Sequence, residues 1–291
     1  MKKTFINLII CMLCVTLLCG CTVKVEDSKK EDNNTNSNTT TEQQTTQNEP
    51  TDTTSPTAKV VAGLDDYSTK KVVWGPGNIQ NHQQPADPVS LQKQFSSMGA
   101  KWLLDNEKSV CLTFDEGYEN GFTPSILDTL KEKKVSAVFF VTYDFAKDNP
   151  KLIRRMIDEG HVVGNHSYRH YTMDEVSIDT AKEEVTFLHN YIRDKFNYTM
   201  SYFRFPKGEF SQQSLAVVHE LKYKSVFWSY AYADWNPDEQ PDPTKAFTGI
   251  CESTHPGEIL LLHAVSKTNA DILGKVIDDI RSQGYKFTVD V

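Results

Sequence analysis

The sequence predicts an α/β fold: a distorted (β/α) barrel of seven or eight strands, preceded by a disordered tether. Three observations carry this expectation. Short apolar runs alternate with amphipathic stretches about seven times, the pattern of a parallel sheet wrapped by helices. Nearly every polar residue with chemical potential stands at the C-terminal end of one of those runs, the rim where α/β barrels build sites. From Thr22 to about Lys59 the composition turns polar and uniform, unlike any packed domain.

The chain has 291 residues, of which 38% are hydrophobic, enough for one large core. With 31 Lys+Arg against 39 Asp+Glu, the formal charge is −8. That excess of negative charge speaks against a nucleic-acid partner and against electrostatic docking on an anionic membrane. Beyond the first two dozen residues no apolar run approaches the length of a membrane span. Four of the six cysteines lie at or before Cys21, which leaves Cys111 and Cys251 as expected buried free thiols.

The N-terminus reads as an address. Lys2 and Lys3 precede an apolar stretch from Phe5 to Leu18, the pattern of a signal peptide over residues 1–21. Leu18-Cys19-Gly20-Cys21 resembles the lipobox of bacterial lipoproteins and implies that Cys21 carries lipid, with ordinary cleavage or an uncleaved anchor as alternatives. The expected location is export, with a lipid anchor on the outer face of the cytoplasmic membrane. Residues 22–60, rich in Thr, Asn and Gln, are expected to be a disordered linker, because they cannot bury enough apolar surface to offset chain entropy.

In the body, Ser109–Phe114 is apolar and ends at Asp115, a buried strand. Thr123–Lys134 places Ile126, Leu127 and Leu130 at helical spacing. Val135–Thr142 is a second buried strand, and Pro150 opens a helix that Gly160 stops. His161–Gly164 follows as a strand and Asp174–Phe196 as a long amphipathic helix. Strands at Met200–Arg204, Lys224–Trp228, Ile259–His263 and Lys286–Val289 then alternate with helices at Ser211–Leu221, Pro243–Cys251 and Asn269–Gln283.

The candidate site residues sit between these elements. His166 and His170, four apart, would share one face of a helical turn, as metal ligation requires; two surface or capping histidines are the plain alternative. Asp115 and Glu116 are adjacent and cannot point the same way on a strand. Either they form a solvated acidic turn before Gly117, or one reaches a metal while the other acts as a general base. Two imidazoles plus a carboxylate suit Zn²⁺ or another divalent first-row ion. Arg204 is a loop arginine or the cation that keeps a neighbouring carboxylate ionised. His263 is a buried structural histidine or a general acid, with Asp234 raising its pKa. Trp228, Tyr230, Tyr232 and Trp235 are core aromatics or a surface for sugar rings.

Together these segments resemble the polysaccharide deacetylases, the NodB-homology group of carbohydrate esterases. Thr113-Phe114-Asp115-Glu116-Gly117 is similar to that family's T-F-D-D-G, and His166-Ser167-Tyr168-Arg169-His170 to its H-S/T-x-x-H. Arg204-Phe205-Pro206-Lys207-Gly208 resembles R-x-P-Y-G, Asp234-Trp235 the end of D-x-x-D-W, and Leu261-Leu262-His263 the L-x-H motif. The five occur in order over residues 108–291, and Asn81-His82-Gln83-Gln84-Pro85 extends the resemblance to a domain of residues 72–291. It implies Asp115 as general base, Arg204 as its orienting partner, Asp234 as the tuner of His263, and His263 as general acid. It implies His166, His170 and Glu116 as ligands of a divalent metal, Zn²⁺ foremost, with Co²⁺ or Mn²⁺ as alternatives. The Lys207 N–H would help hold an oxyanion, and Trp235 and Leu261 would wall an acetyl pocket.

Three positions depart from the motifs: Glu116 replaces Asp, Lys207 replaces an aromatic, and Ala231 stands where a first Asp is expected. With these departures the chain resembles the peptidoglycan N-acetylmuramic acid deacetylases that make muramic δ-lactam in spore cortex. The implied partner is the peptidoglycan glycan strand, met by a monomer. An N-acetylglucosamine deacetylase of peptidoglycan or chitin-type chains is the near alternative. A non-catalytic wall-binding lipoprotein is the distant one, separated by acetate release and its loss on Asp115→Asn.

Overall fold

The computed structural model describes residues 63–291. The signal peptide, Cys21 and the 22–60 linker lie outside the described residues. Among the described residues are nine strands and eight α-helices; the strands are β1 (Ala100–Lys101), β2 (Ser109–Glu116), β3 (Val138–Val141), β4 (Val162–Asn165), β5 (Tyr202–Phe203), β6 (Lys224–Val226), β7 (Tyr230–Ala231), β8 (Ile259–His263) and β9 (Lys286–Phe287). The helices are α1 (Ala86–Phe95), α2 (Thr123–Lys133), α3 (Tyr143–Asp148), α4 (Pro150–Asp158), α5 (Ile178–Phe196), α6 (Gln212–Glu220), α7 (Pro243–Ser253) and α8 (Lys267–Ser282).

Every strand pairing is parallel, in the order β1-β6-β5-β4-β3-β2-β8-β7, with β9 added to the start of β2. The sheet curls into the expected barrel-like wall, but its ladder stays open between β1 and β7. An antiparallel bridge from Leu103 to Glu258 spans part of that gap, and the Leu104 N–H donates to the Gly257 carbonyl at 2.8 Å. Gly257 has φ +71°, and a Cβ there would lie 2.7 Å from Leu104 O, so only glycine fits this seam.

Strand alternation sorts the side chains into two shells. Cys111, Val138, Phe140, Val226 and Ile259 pack inside the curl. Val110, Leu112, Phe114, Phe139 and Val163 point outward under the helices and join the larger core. Gly164 belongs to the inner shell because a Cβ would meet the Phe140 ring at 2.5 Å. Cys111 and Cys251 are free and buried, as expected.

Side-chain caps set the helix starts. Ser177 accepts from Thr180 N–H ahead of α5, and Ser266 from Asn269 N–H ahead of α8. These caps move both starts away from the positions expected from apolar spacing, Asp174 and Asn269. The two-residue strands β1 and β7 and the short helices α1 and α3 carry too little periodicity to stand out in the sequence. The packed chain also begins before Val72. Leu64–Asp66 forms a 3₁₀ turn against α6, where the Gln213 side chain donates to Leu64 O at 3.1 Å.

Candidate active site

Residues at the C-terminal ends of β2, β4, β5, β6 and β8 enclose a cavity of about 490 Å³. Asp115, His166, His170, Lys207, Trp235 and His263 all line it, as does Leu261. A larger open groove of about 630 Å³, near Lys134, Arg281 and Lys286, holds no comparable convergence of acid, base and imidazole.

Asp115 ends β2 on its inner face and is 7% exposed. Burial alone, the largest single effect, would raise its pKa, but the charges of Arg204, His166 and His263 together with the Arg204 hydrogen bond outweigh it and hold the carboxyl below the ordinary range. Arg204 is fully buried. Its Nη1 donates to Asp115 Oδ1 at 2.9 Å and to Thr113 Oγ1 at 2.7 Å. Its Nε and Nη2 donate to the carbonyls of Val226 and Phe227, both at 2.9 Å, and the guanidinium lies 4.2 Å from the Phe140 ring centroid. Four bonds from one rigid fork fix where Asp115 points.

His166 and His170 come together, though not on a helical turn. The 166–170 segment is a loop in which Ser167 (φ 73°) and His170 (φ 59°) adopt left-handed backbone. Buried Glu184 of α5 pins the loop by accepting from the Arg169 N–H at 2.7 Å. His166 Nδ1 lies 2.9 Å from the Arg204 carbonyl, which only accepts, so Nδ1 carries the proton and Nε2 keeps a free lone pair. That Nε2 is 3.2 Å from His170 Nε2 and 3.5 Å from Asp115 Oδ2. Burial lowers both histidine pKa values, that of His170 to about 4. Two neutral imidazole nitrogens at this spacing match adjacent ligands on one ion, since metal–nitrogen bonds of about 2.1 Å put them roughly 3.0–3.4 Å apart.

Glu116 does not join them, which corrects the expected ligand set. It follows Asp115 on a strand and so faces the opposite shell, beside Glu119 and Thr123. It is fully buried, and neither carboxyl oxygen has a hydrogen-bond partner. Burial, with the charges of Glu119 and Asp115, pushes its pKa well above the ordinary value and favours the protonated form. Among the described residues no three His, Cys, Asp or Glu side chains form a complete metal-ligand cluster. The donor chemistry present fits a divalent ion held by His166 and His170, with the remaining positions open. His170→Ala is therefore expected to abolish Zn²⁺ binding in calorimetry. Glu116→Gln should leave the affinity within about threefold and raise the melting temperature, because an amide needs no proton to stay buried.

On the far wall, His263 Nδ1 meets Asp234 Oδ1 at 2.7 Å, and the His263 backbone N–H donates to Asp234 Oδ2 at 2.8 Å. Burial would lower the His263 pKa, but the bond to Asp234 and the charges of Asp234 and Asp115 raise it overall. The free Nε2 is thus an acid available to the cavity. Trp235 is 59% exposed, with its ring centroid 6.2 Å from that of His263. Lys207 sits in a left-handed turn (φ 59°) followed by Gly208 (φ 70°), where a Cβ would strike Trp228 at 2.5 Å. Trp228 and Tyr232 also line the cavity, so part of the aromatic cluster serves the site. Sequence reasoning missed Asn269, which bonds Asp234 from α8; an asparagine in a helix carries no such signal.

A held carboxylate base, a raised imidazole acid and a bis-imidazole corner around one cavity define a hydrolase of the acyl-transfer type. A sequence profile described as polysaccharide deacetylase matches residues 104–226. The chain is 40% identical over 228 residues to the peptidoglycan-N-acetylmuramic acid deacetylase PdaA of Bacillus subtilis, covering 78% of this chain and 87% of that one. The structure described as Bacillus subtilis PdaA, a family 4 carbohydrate esterase, superposes with a TM-score of 0.72 at 38% identity, covering 76% of this chain and 95% of that chain. A peptidoglycan-N-acetylglucosamine deacetylase of Bacillus cereus is 31% identical over 186 residues, 62% of this chain and 66% of that protein. The chain belongs to the polysaccharide deacetylase family and is a hydrolytic N-deacetylase. The profile match ends before Asp234 and His263, and the fold carries both back to the rim beside Asp115.

Proposed function

We propose that the protein removes the N-acetyl group from N-acetylmuramic acid in peptidoglycan. The observation that carries the choice of sugar is Lys207. Its ammonium stands at the cavity wall and meets only Thr172 Oγ1, at 3.3 Å; among the described residues it has no ion-pair partner. Muramic acid differs from glucosamine by a lactyl carboxylate, which is free once the stem peptide is gone. An unpaired cation beside the reacting centre complements that anion. The identity to PdaA supports the same choice.

Asp115, Lys207 and His263 carry the chemistry, with Arg204 and Asp234 holding the base and the acid. Asp115, ionised by Arg204, takes a proton as water attacks the acetyl carbon. The Lys207 N–H faces the developing oxyanion. His263, held by Asp234, gives its proton to the departing nitrogen as the C–N bond breaks, leaving acetate and a free amine. A divalent ion held by His166 and His170, Zn²⁺ by the character of the donors, supplies Lewis acidity when bound. Trp235 and Leu261 wall the acetyl group. The amine and the lactyl carboxyl then lie on one sugar, positioned to close the lactam that marks spore cortex. A lipid on Cys21, with residues 22–60 as the link, would hold the domain at the outer face of the cytoplasmic membrane within reach of the wall.

Purified protein supplied with glycan strands, with and without stem peptides, should release acetate from muramic residues that lack the peptide. Product mass distinguishes the free amine from the lactam. Acetate released from glucosamine residues alone would replace this reading with the near alternative. Lys207→Met should raise KM for the muramic substrate about tenfold and leave any glucosamine activity unchanged.

A further inference from the structure

We propose that Asn269, backed by Tyr232, is a positioning residue for the His263–Asp234 pair. Asn269 lies in the first turn of α8 and is 1% exposed. Its Nδ2 is 2.6 Å from Asp234 Oδ2 and 3.0 Å from the His263 carbonyl. Both neighbours only accept, so the amide nitrogen must face them. Its Oδ1 is thereby turned to the Tyr232 hydroxyl, which donates to it. Burial, and then the Asp234 charge, push the Tyr232 pKa up, so that donor keeps its proton. The result is a directed chain: Tyr232 O–H donates to Asn269, Asn269 N–H donates to Asp234, and Asp234 in turn accepts from the His263 backbone N–H and from His263 Nδ1.

The chain determines which way the carboxylate faces. Asp234 Oδ2 receives two donors, the His263 N–H and Asn269 Nδ2, which leaves Oδ1 directed at His263 Nδ1. Without Asn269, one of the two donors on a fully buried oxygen is lost, and the carboxylate is free to rotate toward another partner. A single buried hydroxyl or amide can matter this much because the low local dielectric strengthens every bond of a satisfied chain. Tyr232 also lines the cavity, so the support of the acid begins at the substrate wall. The charged groups that reach His263 are Asp234, Asp115 on β2 and Arg204 after β5. Of these side chains Asn269 touches only Asp234, and it also holds the His263 carbonyl, so its removal acts through those two contacts.

This inference rests on the deacetylase reading, and its decisive measurement does not. The His263 titration is followed by NMR of the imidazole protons in the substrate-free protein, for wild type, Asn269→Ala and Tyr232→Phe. The expected result is a fall in the His263 midpoint of about half a unit or more for Asn269→Ala, and a smaller fall for Tyr232→Phe. With N-acetylated glycan, kcat should fall about tenfold for Asn269→Ala, KM should stay within twofold, and the high-pH limb of the profile should move down with the midpoint. An unchanged midpoint in both variants overturns the proposal, even where kcat falls, because the loss is then one of packing. Should Asn269→Ala fail to fold, Tyr232→Phe alone decides. A shifted midpoint with no acetate release from any variant or the wild type would sustain the positioning role and refute the deacetylase reading instead.

Discussion

Asp115→Asn is expected to lower kcat for acetate release by about a thousandfold while KM stays within a few-fold. An amide has the shape of the carboxyl and can still accept from Arg204 Nη1, now 2.9 Å from Asp115 Oδ1. It cannot take a proton from water. Loss of kcat with intact binding is therefore the signature of a missing base. The substitution also leaves the Arg204 charge without an anion in a fully buried position, so stability should fall by about 1–3 kcal/mol in urea denaturation. Retention of activity within tenfold would remove Asp115 from the role of base, whereas no acetate release from the wild type would restore the non-catalytic, wall-binding reading.

The sequence made some of this legible and hid the rest for identifiable reasons. The strand carrying Asp115 was readable because it is buried on both faces and so continuously apolar, and its boundary came out only two residues short. The bis-imidazole pair was readable from its spacing, yet the conformation that joins it was not. Two left-handed residues and an anchor from Glu184, on a helix later in the chain, shape that loop. The Glu116 assignment went astray because motif similarity matches letters, whereas strand alternation decides which of two neighbouring acids enters the cavity. The open seam between β1 and β7 could not be seen either. Closure depends on which strands pair at the edges, and two-residue strands leave no pattern to read.

Arg204→Met is expected to be more damaging than Asp115→Asn to stability and comparable in its effect on activity. Removing one partner of a buried ion pair typically costs about 3–5 kcal/mol, because the other charge is left uncompensated in a low dielectric. Here the cation also satisfies the carbonyls of Val226 and Phe227 and the hydroxyl of Thr113, which itself donates to Leu260 O at 2.8 Å. Methionine fills much of the volume and bonds to none of them. In Arg204→Met, Asp115 loses the charge that held it ionised, and its burial then favours the protonated, inactive form. Adding Asp115→Leu should therefore recover part of the stability, since no lone buried carboxylate remains, and none of the activity. The recovery must be incomplete, because the two strand-end carbonyls stay without donors. Urea titrations of both single variants and the double variant measure this directly. Additive losses would show that Asp115 and Arg204 do not act as a pair. A recovery of about 1–3 kcal/mol in the double variant would show that Asp115 and Arg204 are energetically coupled as one charge pair at the rim of β2 and β5.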